Sequence, residues 1–196
     1  MYGYDDDITK AKELIMVPGQ KFEVPAGLKH QILGLEEGAS KQEIQDAYDK
    51  LSVELDPKNI RAVLGLARNL RYSGSSKNAV LFLKEVLSSE EDASLRVELV
   101  KAQIASGLLK DAQEGLLFLK TREEASWELH ALQGVIYDHL GHFEPAQQSY
   151  RAALELSPEN ISVLNNLSMS LAQAGKLDEA ISLLYDLANS EYANPQ

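Results

Sequence analysis

Apolar and small residues recur at helical spacing along most of the chain, and apolar and polar residues do not alternate cleanly as they would in a half-buried strand. The pattern is sharpest between positions 127 and 158. One face there consists of Ala131, Gly134, Val135, Tyr137 and Leu140, and a second of Phe143, Ala146, Tyr150, Ala153 and Leu154. Gly141 lies between the two faces, and Ser157-Pro158 follows the second. Because Pro cannot continue a helix, these residues predict a helix hairpin that starts at Trp127 and ends before Pro158.

The hairpin pattern recurs with a fixed period. Turn glycines lie at positions 74, 107, 141 and 175, so the steps are 33, 34 and 34 residues. Each glycine is followed five positions later by an alanine and one turn further by a larger residue; these pairs are Ala79 and Leu83, Ala112 and Leu116, Ala146 and Tyr150, and Ala180 and Leu184. The glycine closes the first helix in the left-handed conformation, and the alanine lets the second helix approach closely. One such hairpin cannot bury its apolar face alone, so the hairpins are predicted to stack.

These marks resemble the tetratricopeptide repeat. The segment 127–160 has that family's glycine at the eighth place, then Tyr137, Ala146, Tyr150, Ala153 and Pro158, with His130 where the family has Trp. The other units, 60–92, 93–126 and 161–194, have Ala67, Val100 and Ser168 at the eighth place. The resemblance implies an all-α fold, a right-handed superhelical solenoid of tetratricopeptide-type helix hairpins.

The chain before position 60 is predicted to hold an arm and a degenerate unit. Residues 1–25 are expected to be a partly disordered arm with a short helix. Residues 26–59 form the degenerate unit, in which Leu28–Gly34 is a short helix and a capping box at Ser40–Glu43 opens a helix through Leu55. This stretch is also similar to part of a J-domain, but Leu55-Asp56-Pro57 stands where that family has His-Pro-Asp. The repeat frame explains the same residues.

A closer resemblance covers Leu132–Leu187. Asn165-Asn166-Leu167 and the turn Ala174-Gly175-Lys176-Leu177-Asp178-Glu179-Ala180 are similar to the TadD proteins of tight-adherence (Flp-type) pilus machines. That resemblance implies a non-enzymatic lipoprotein that helps a secretin channel assemble, so the implied partner is an outer-membrane secretin or another pilus component. The chain has no lipid-acceptor Cys and stops at Gln196, and both features fit a trimmed form. The implied location of the full-length protein is periplasmic and outer-membrane-associated, with the cytoplasm as the alternative.

Composition narrows the classes of partner. The chain has 30 acidic and 19 basic residues and a formal net charge of −11, which argues against general nucleic-acid binding and against docking on anionic lipid. The absence of Cys excludes disulfides, thiolate zinc sites and thiol nucleophiles. No apolar run approaches the ~20 residues of a membrane helix. Membrane contact is therefore expected only through a lipid anchor that this chain lacks.

No catalytic or cofactor-binding pattern occurs. His139 and His142 lie near Asp138, but a third firm ligand is missing, and solvated turn residues are the favoured interpretation. Paired acids at Glu36-Glu37, Glu90–Asp92 and Glu123-Glu124 precede predicted helices, where exposed amides favour negative charge. The sequence therefore predicts neither a metal, nor a cofactor, nor an enzyme.

By the same resemblance, the first helices of stacked hairpins line a concave groove that binds a segment of a protein partner. The candidate groove residues are Arg61, Leu64, Arg68, Arg71, Tyr72, Lys101, Asp138, His139, Asn165 and Met169. Residues 60–92 contain five basic and four acidic residues, whereas 127–196 contain two basic and nine acidic ones. The three arginines at the basic end suit an acidic segment or a terminal carboxylate. The alternative is a solvated face balanced by Glu85 and Glu90–Asp92.

The sequence alone leaves three alternatives open. Asn165 and Met169 suit contacts to a bound backbone and to apolar side chains, or Met169 packs between repeats. The sixth places hold Gly65, Glu98, Leu132 and Asn166, so one Asn alone fits the carboxylate clamp of chaperone adaptors; a cytosolic peptide-tail-binding co-chaperone or regulatory adaptor is the alternative function. The terminal repeat, with no polar capping helix evident after Leu187, is a candidate face for homodimerisation.

Overall fold

The structure is a computed structural model that describes residues 58–89, 91–122 and 124–193, together with seven positions between 43 and 56. From position 58 onward the described residues form eight helices and no strand, and six of the seven earlier described positions are helical as well. They are α1 (Ile60–Tyr72), α2 (Ser76–Ser89), α3 (Ala93–Ala105), α4 (Leu109–Arg122), α5 (Trp127–His139), α6 (Phe143–Leu156), α7 (Ile161–Gln173) and α8 (Leu177–Ala193). The chain divides into two compact units, Met1–Val86 and Leu87–Gln196.

Each first helix of a hairpin begins at a side-chain cap. Asn59, Asp92, Ser126 and Asn160 precede α1, α3, α5 and α7, and each side-chain oxygen accepts a hydrogen bond from the backbone N–H three residues later. Such caps satisfy amide groups that have no partner within the helix. After these helices, Gly74, Gly107, Gly141 and Gly175 have φ values of 74° to 83°. The four turns predicted from the glycine period are thereby confirmed.

The first unit contains the hairpin of α1 and α2. Its buried residues include Val63 and Ala67 of α1 and Ala79 and Leu83 of α2. The described positions from Glu43 to Val53 are helical. The predicted arm 1–25 and the predicted helix 28–34 lie outside the described residues.

The second unit is a stack of three hairpins. From α3 to α8 each helix packs against its neighbours in the chain, and α7 also packs against α5. One buried cluster joins α3, α4 and α5 through residues that include Val100, Leu116 and Leu132. Another joins α5, α6, α7 and α8 through Ala131, Tyr150, Leu167 and Ala180. Because α5 contributes to both clusters, the apolar core runs continuously from α3 to α8, and the predicted all-α stack of hairpins is confirmed.

Small residues set the close approach of paired helices, as the period predicted. Ala79, Ala112, Ala146 and Ala180 are all buried. At Gly134 a Cβ atom would lie 2.5 Å from the ring of Tyr150, so glycine is required for that ring to reach α5.

The large residue one turn after each alanine does not behave uniformly. Leu83, Leu116 and Tyr150 are at most 5% exposed, whereas Leu184 is 44% exposed. The expectation that Leu184 fills space like the others is wrong. Tyr150 is covered by α7 of the following hairpin, and α8 is the last helix that the structure describes.

None of the described helices is both long and apolar enough to cross a bilayer.

Candidate interaction surfaces

A pocket of about 690 Å³ lies in the first unit, beside α1. Its lining residues are Asp46, Asp49, Arg61, Gly65, Arg68, Asn69, Tyr72 and Ser73. Six of these eight residues belong to α1 or to the turn after it, and three of them (Arg61, Arg68 and Tyr72) are predicted groove residues. The helix thus presents two guanidinium groups and an aromatic ring on one exposed side.

Two carboxylates share this pocket with the arginines, which the sequence did not reveal. Asp46 and Asp49 come from the helical segment before α1. Asp49 is only 6% exposed, and its side chain lies so close to Gly65 that a Cβ there would overlap its Oδ2 atom. Gly65 therefore lets the Asp49 carboxylate pack against the α1 backbone. The pocket combines both signs of charge and is less basic than α1 alone suggested.

The remaining predicted residues of α1 lie at the pocket's edge or outside it. The guanidinium of Arg71 stacks over the ring of Tyr72 at 4.3 Å, and that ring belongs to a side chain that is 77% exposed. Leu64 is half-buried and, like Arg71, does not line the pocket. The Arg71–Tyr72 stack holds an aromatic surface open to solvent next to Arg68, an arrangement suited to contacts with a bound chain.

Two of the acids expected to balance the α1 arginines, Glu91 and Asp92, have partners of their own. In the second unit, Glu91 forms an ion pair with Arg96, and this hydrogen bond lowers the pKa of Glu91. Asp92 caps α3, and a hydrogen bond from the Ser94 hydroxyl, with others from backbone amides, lowers its pKa. Arg96 also lies 4.2 Å from the ring of Phe118, which contacts Arg122 from another side at 4.5 Å.

Lys101 and His139 differ in their surroundings. The Nζ of Lys101 donates to Glu128 Oε1 at 2.6 Å, an ion pair between the first helices of adjacent hairpins. Lys101 is therefore half-buried and already paired. His139 is exposed at the end of α5, whereas the ring of His142 lies 6.4 Å from that of Tyr137.

Asp138 lies at the centre of a polar network that joins three helices. Its Oδ2 accepts a hydrogen bond from the Tyr150 hydroxyl at 2.8 Å, and its Oδ1 accepts one from Ser170 Oγ at 2.6 Å. Tyr150 and Ser170 are both at most 1% exposed. Burial and the hydrogen bond to the carboxylate raise the pKa of Tyr150, so its hydroxyl stays protonated. Both carboxylate oxygens of Asp138 are thus engaged inside the stack rather than offered to a partner.

A second buried polar contact lies between α6 and the hairpin that follows it, and the sequence analysis did not predict it either. Gln147 is 1% exposed; its Nε2 donates to the Ser170 carbonyl at 3.5 Å, and its Oε1 accepts from Lys176 Nζ at 2.9 Å. In the sequence, the feature that could have predicted this contact is the polar Gln147 directly after Ala146, the small residue at the close helix approach.

Asn165 and Met169, by contrast, are exposed on α7, and Met169 is 61% exposed. The alternative that Met169 packs between the described repeats is thereby excluded.

Across the part of the chain that the structure describes, His, Asp and Glu side chains form no group of three that could hold a metal ion.

The repeat is recognised independently of these contacts. The family model described as "Tetratricopeptide repeat" matches residues 127–160, the segment of α5 and α6. A TPR repeat-containing protein, MJ1428, of Methanocaldococcus jannaschii is 32% identical over 160 residues, which are 76% of this chain and 27% of that protein. Residues 127–160 are a tetratricopeptide repeat.

Two further proteins are similar to the chain at lower identity. A PEX5-related protein of Homo sapiens is 27% identical over 166 residues, covering 76% of this chain and 26% of that protein. The crystal structure of TTC0263, a thermophilic TPR protein of Thermus thermophilus, matches 83% of this chain and 88% of its own with a TM-score of 0.66 and 21% identity. The chain spans about a quarter of the length of the curated relatives it matches. The solved structure supports the fold alone.

Proposed function

We propose that this tetratricopeptide-repeat protein is a non-enzymatic scaffold that binds a segment of a protein partner on the exposed faces of its first helices. The pocket beside α1 carries the proposal, because it joins the exposed Arg61 and Arg68 to the open Tyr72 ring. Guanidinium groups bind carboxylates through paired hydrogen bonds. The segment that fits is therefore acidic or ends in a free carboxylate.

The carboxylates of the pocket refine this expectation. Asp46 and Asp49 lie in the same lining as the arginines, so a run of acids would meet repulsion at one end of the pocket. A segment with a single acidic end, followed by a residue that donates hydrogen bonds or carries a positive charge, complements both signs.

Charge reversal at the pocket tests the scaffold function. Replacing both Arg61 and Arg68 by Glu is expected to weaken binding of a short peptide with a free acidic C-terminus at least tenfold in calorimetry. Both side chains are exposed, so helix content should not change. Lys77→Glu serves as the control, because it also replaces a positive side chain by a negative one. Lys77 is exposed on α2 and does not line the pocket. Unaltered affinity in the double variant would refute the pocket as the site.

A finer function rests on the resemblance of residues 132–187 to TadD proteins alone. On that ground the partner is a secretin or another component of a tight-adherence pilus machine, and the full-length protein is outer-membrane-associated in the periplasm. The alternative is a cytosolic co-chaperone or regulatory adaptor for peptide tails. Fractionation of the cells in which the protein naturally occurs separates the two: recovery in the envelope supports the first function, and recovery in the cytosol supports the second.

A further inference from the structure

The two contacts between successive hairpins of the second unit differ in chemistry. Asp138, Tyr150 and Ser170 form the hydrogen-bonded set that joins α5, α6 and α7. The same places one repeat of 34 residues earlier are apolar, are at most 7% exposed and belong to the buried cluster of α3, α4 and α5; they are Ile104, Leu116 and Ile136. Equivalent positions are thus apolar where α5 packs on the first hairpin of the unit and polar where α7 packs on the second.

The apolar face of α7 repeats itself along the helix. Val163, Leu167 and Leu171 are buried and follow one another at intervals of four residues. A displacement of α7 by one turn, about 5 Å, would therefore bring one apolar residue to the place of another. Ser170, on the same packed side, is small and 0% exposed, whereas the equivalent residue of α5 is the bulky Ile136. The apolar contacts of α7 therefore do not by themselves define one position.

The polar contacts of Ser170 do define a position. Its hydroxyl donates to Asp138 Oδ1 at 2.6 Å, and its carbonyl accepts from Gln147 Nε2 at 3.5 Å. A displacement by one turn would bring Asn166 or Ala174 to this place. Alanine cannot donate to the carboxylate, and asparagine is larger than the serine that fills the space. Because a polar group that loses its partner inside a protein is costly, these contacts favour one position of α7 over its neighbours.

We propose that Asp138, Tyr150 and Ser170 act as a register lock, a polar set that fixes the position of α7 along α5 and α6. The lock thereby fixes where Asn165 and Met169, both exposed on α7, lie relative to the exposed residues of α5. A single buried polar residue sets the register of coiled coils in the same way, at a cost in stability. The lock lies outside the α1 pocket, so its failure would leave the proposed function standing.

A variant that removes every polar atom of the register lock but keeps its shape tests the proposal. Asp138→Leu, Tyr150→Phe and Ser170→Ala are combined in the full chain, which should stay folded because apolar groups of similar shape replace both sides of each bond. The chain has no Cys, so Gln148→Cys on α6 and Gln173→Cys on α7, both at exposed positions, carry the spin labels for a distance measurement by electron paramagnetic resonance. The otherwise unchanged chain is expected to give one narrow distance distribution. The triple variant should broaden it or add a second distance, displaced by up to about 5 Å, one helical turn.

Ser168→Ala is the matched control. Ser168 is also buried on α7, but its hydroxyl donates to the Leu164 carbonyl of its own helix, so this variant should keep the narrow distribution. A folded triple variant with an unchanged distribution would overturn the proposal, and so would equal broadening in Ser168→Ala. If the triple variant does not fold, Ser170→Ala alone decides: the proposal requires a broader distribution than in Ser168→Ala, and identical distributions refute it.

Discussion

At the scale of single residues, capping side chains determine where the first helices begin. Asp92 accepts hydrogen bonds from the Leu95 amide at 2.9 Å and from the Ser94 hydroxyl. We expect Asp92→Ala to lower the free energy of unfolding of the second unit by about 1 kcal/mol, the usual cost of losing such a cap. Chemical denaturation measures this free energy. Asp92→Asn is the control, because it keeps the oxygen that accepts the hydrogen bonds. Equal losses in the two variants would contradict a capping role.

The same cap predicts a dependence of stability on pH. Hydrogen bonds to the carboxylate hold the folded-state pKa of Asp92 below its usual value. The stabilisation is therefore complete above the unfolded-state pKa, near 4, and is lost as the pH falls through the lower folded-state pKa. Relative to Asp92→Asn, which does not titrate, the wild type should lose stability below about pH 4. If the unfolding free energies of the two proteins changed with pH in parallel, the Asp92 carboxylate would not be the source of the pH dependence.

Residue patterns predicted the turns better than they predicted burial. Gly141 and Ala146 could be assigned from spacing alone, because a left-handed turn requires glycine and a close helix approach requires a small side chain. Leu184 could not, because its exposure depends on whether a further helix lies over it. The contact of Asp49 with Gly65 joins residues of different helices, and no short-range pattern encodes such a meeting.

At the scale of elements, the Asp138 network joins α5, α6 and α7. The place of Asp138 within its repeat predicted a groove residue, but its two oxygens accept from buried hydroxyls on the other helices. Position in a repeat indicates the direction of a side chain and cannot indicate which partners the neighbouring hairpin supplies. Arg61 and Arg68 kept their predicted exposure because their long side chains reach solvent readily.

Loss of the Tyr150 hydroxyl is expected to lower the stability of the fold without changing peptide binding. Tyr150→Phe leaves one oxygen of the half-buried Asp138 carboxylate without its donor, which should cost about 1–3 kcal/mol of unfolding free energy. Binding of the acidic peptide at the α1 pocket should not change. Tyr137→Phe is the matched control, since its hydroxyl accepts one long bond of 3.5 Å from Gln133 and should cost much less. A loss of peptide affinity in Tyr150→Phe would indicate that the network serves binding as well as packing.

At the scale of the whole molecule, charged residues are distributed unevenly along the chain. The α1 pocket combines two arginines with two aspartates, whereas the last described hairpin holds one Lys and an excess of acids. The repeat period predicted the hairpins, but the chemistry of their exposed sides depends on residues that vary from one repeat to the next.

The division into two compact units predicts that the second unit folds alone. The fragment 87–196 contains the complete core that runs from α3 to α8, so it is expected to be helical and to unfold cooperatively in urea. A shorter fragment, 87–160, lacks α7 and α8 and so leaves Ala131, Tyr150 and Ala153 without the helices that cover them. Its unfolding midpoint should fall well below that of 87–196, because burying a large apolar side chain contributes about 1.5–3 kcal/mol. If instead 87–196 were unfolded, or no more stable than 87–160, the core formed by α5 to α8 would not be the main source of stability in this unit.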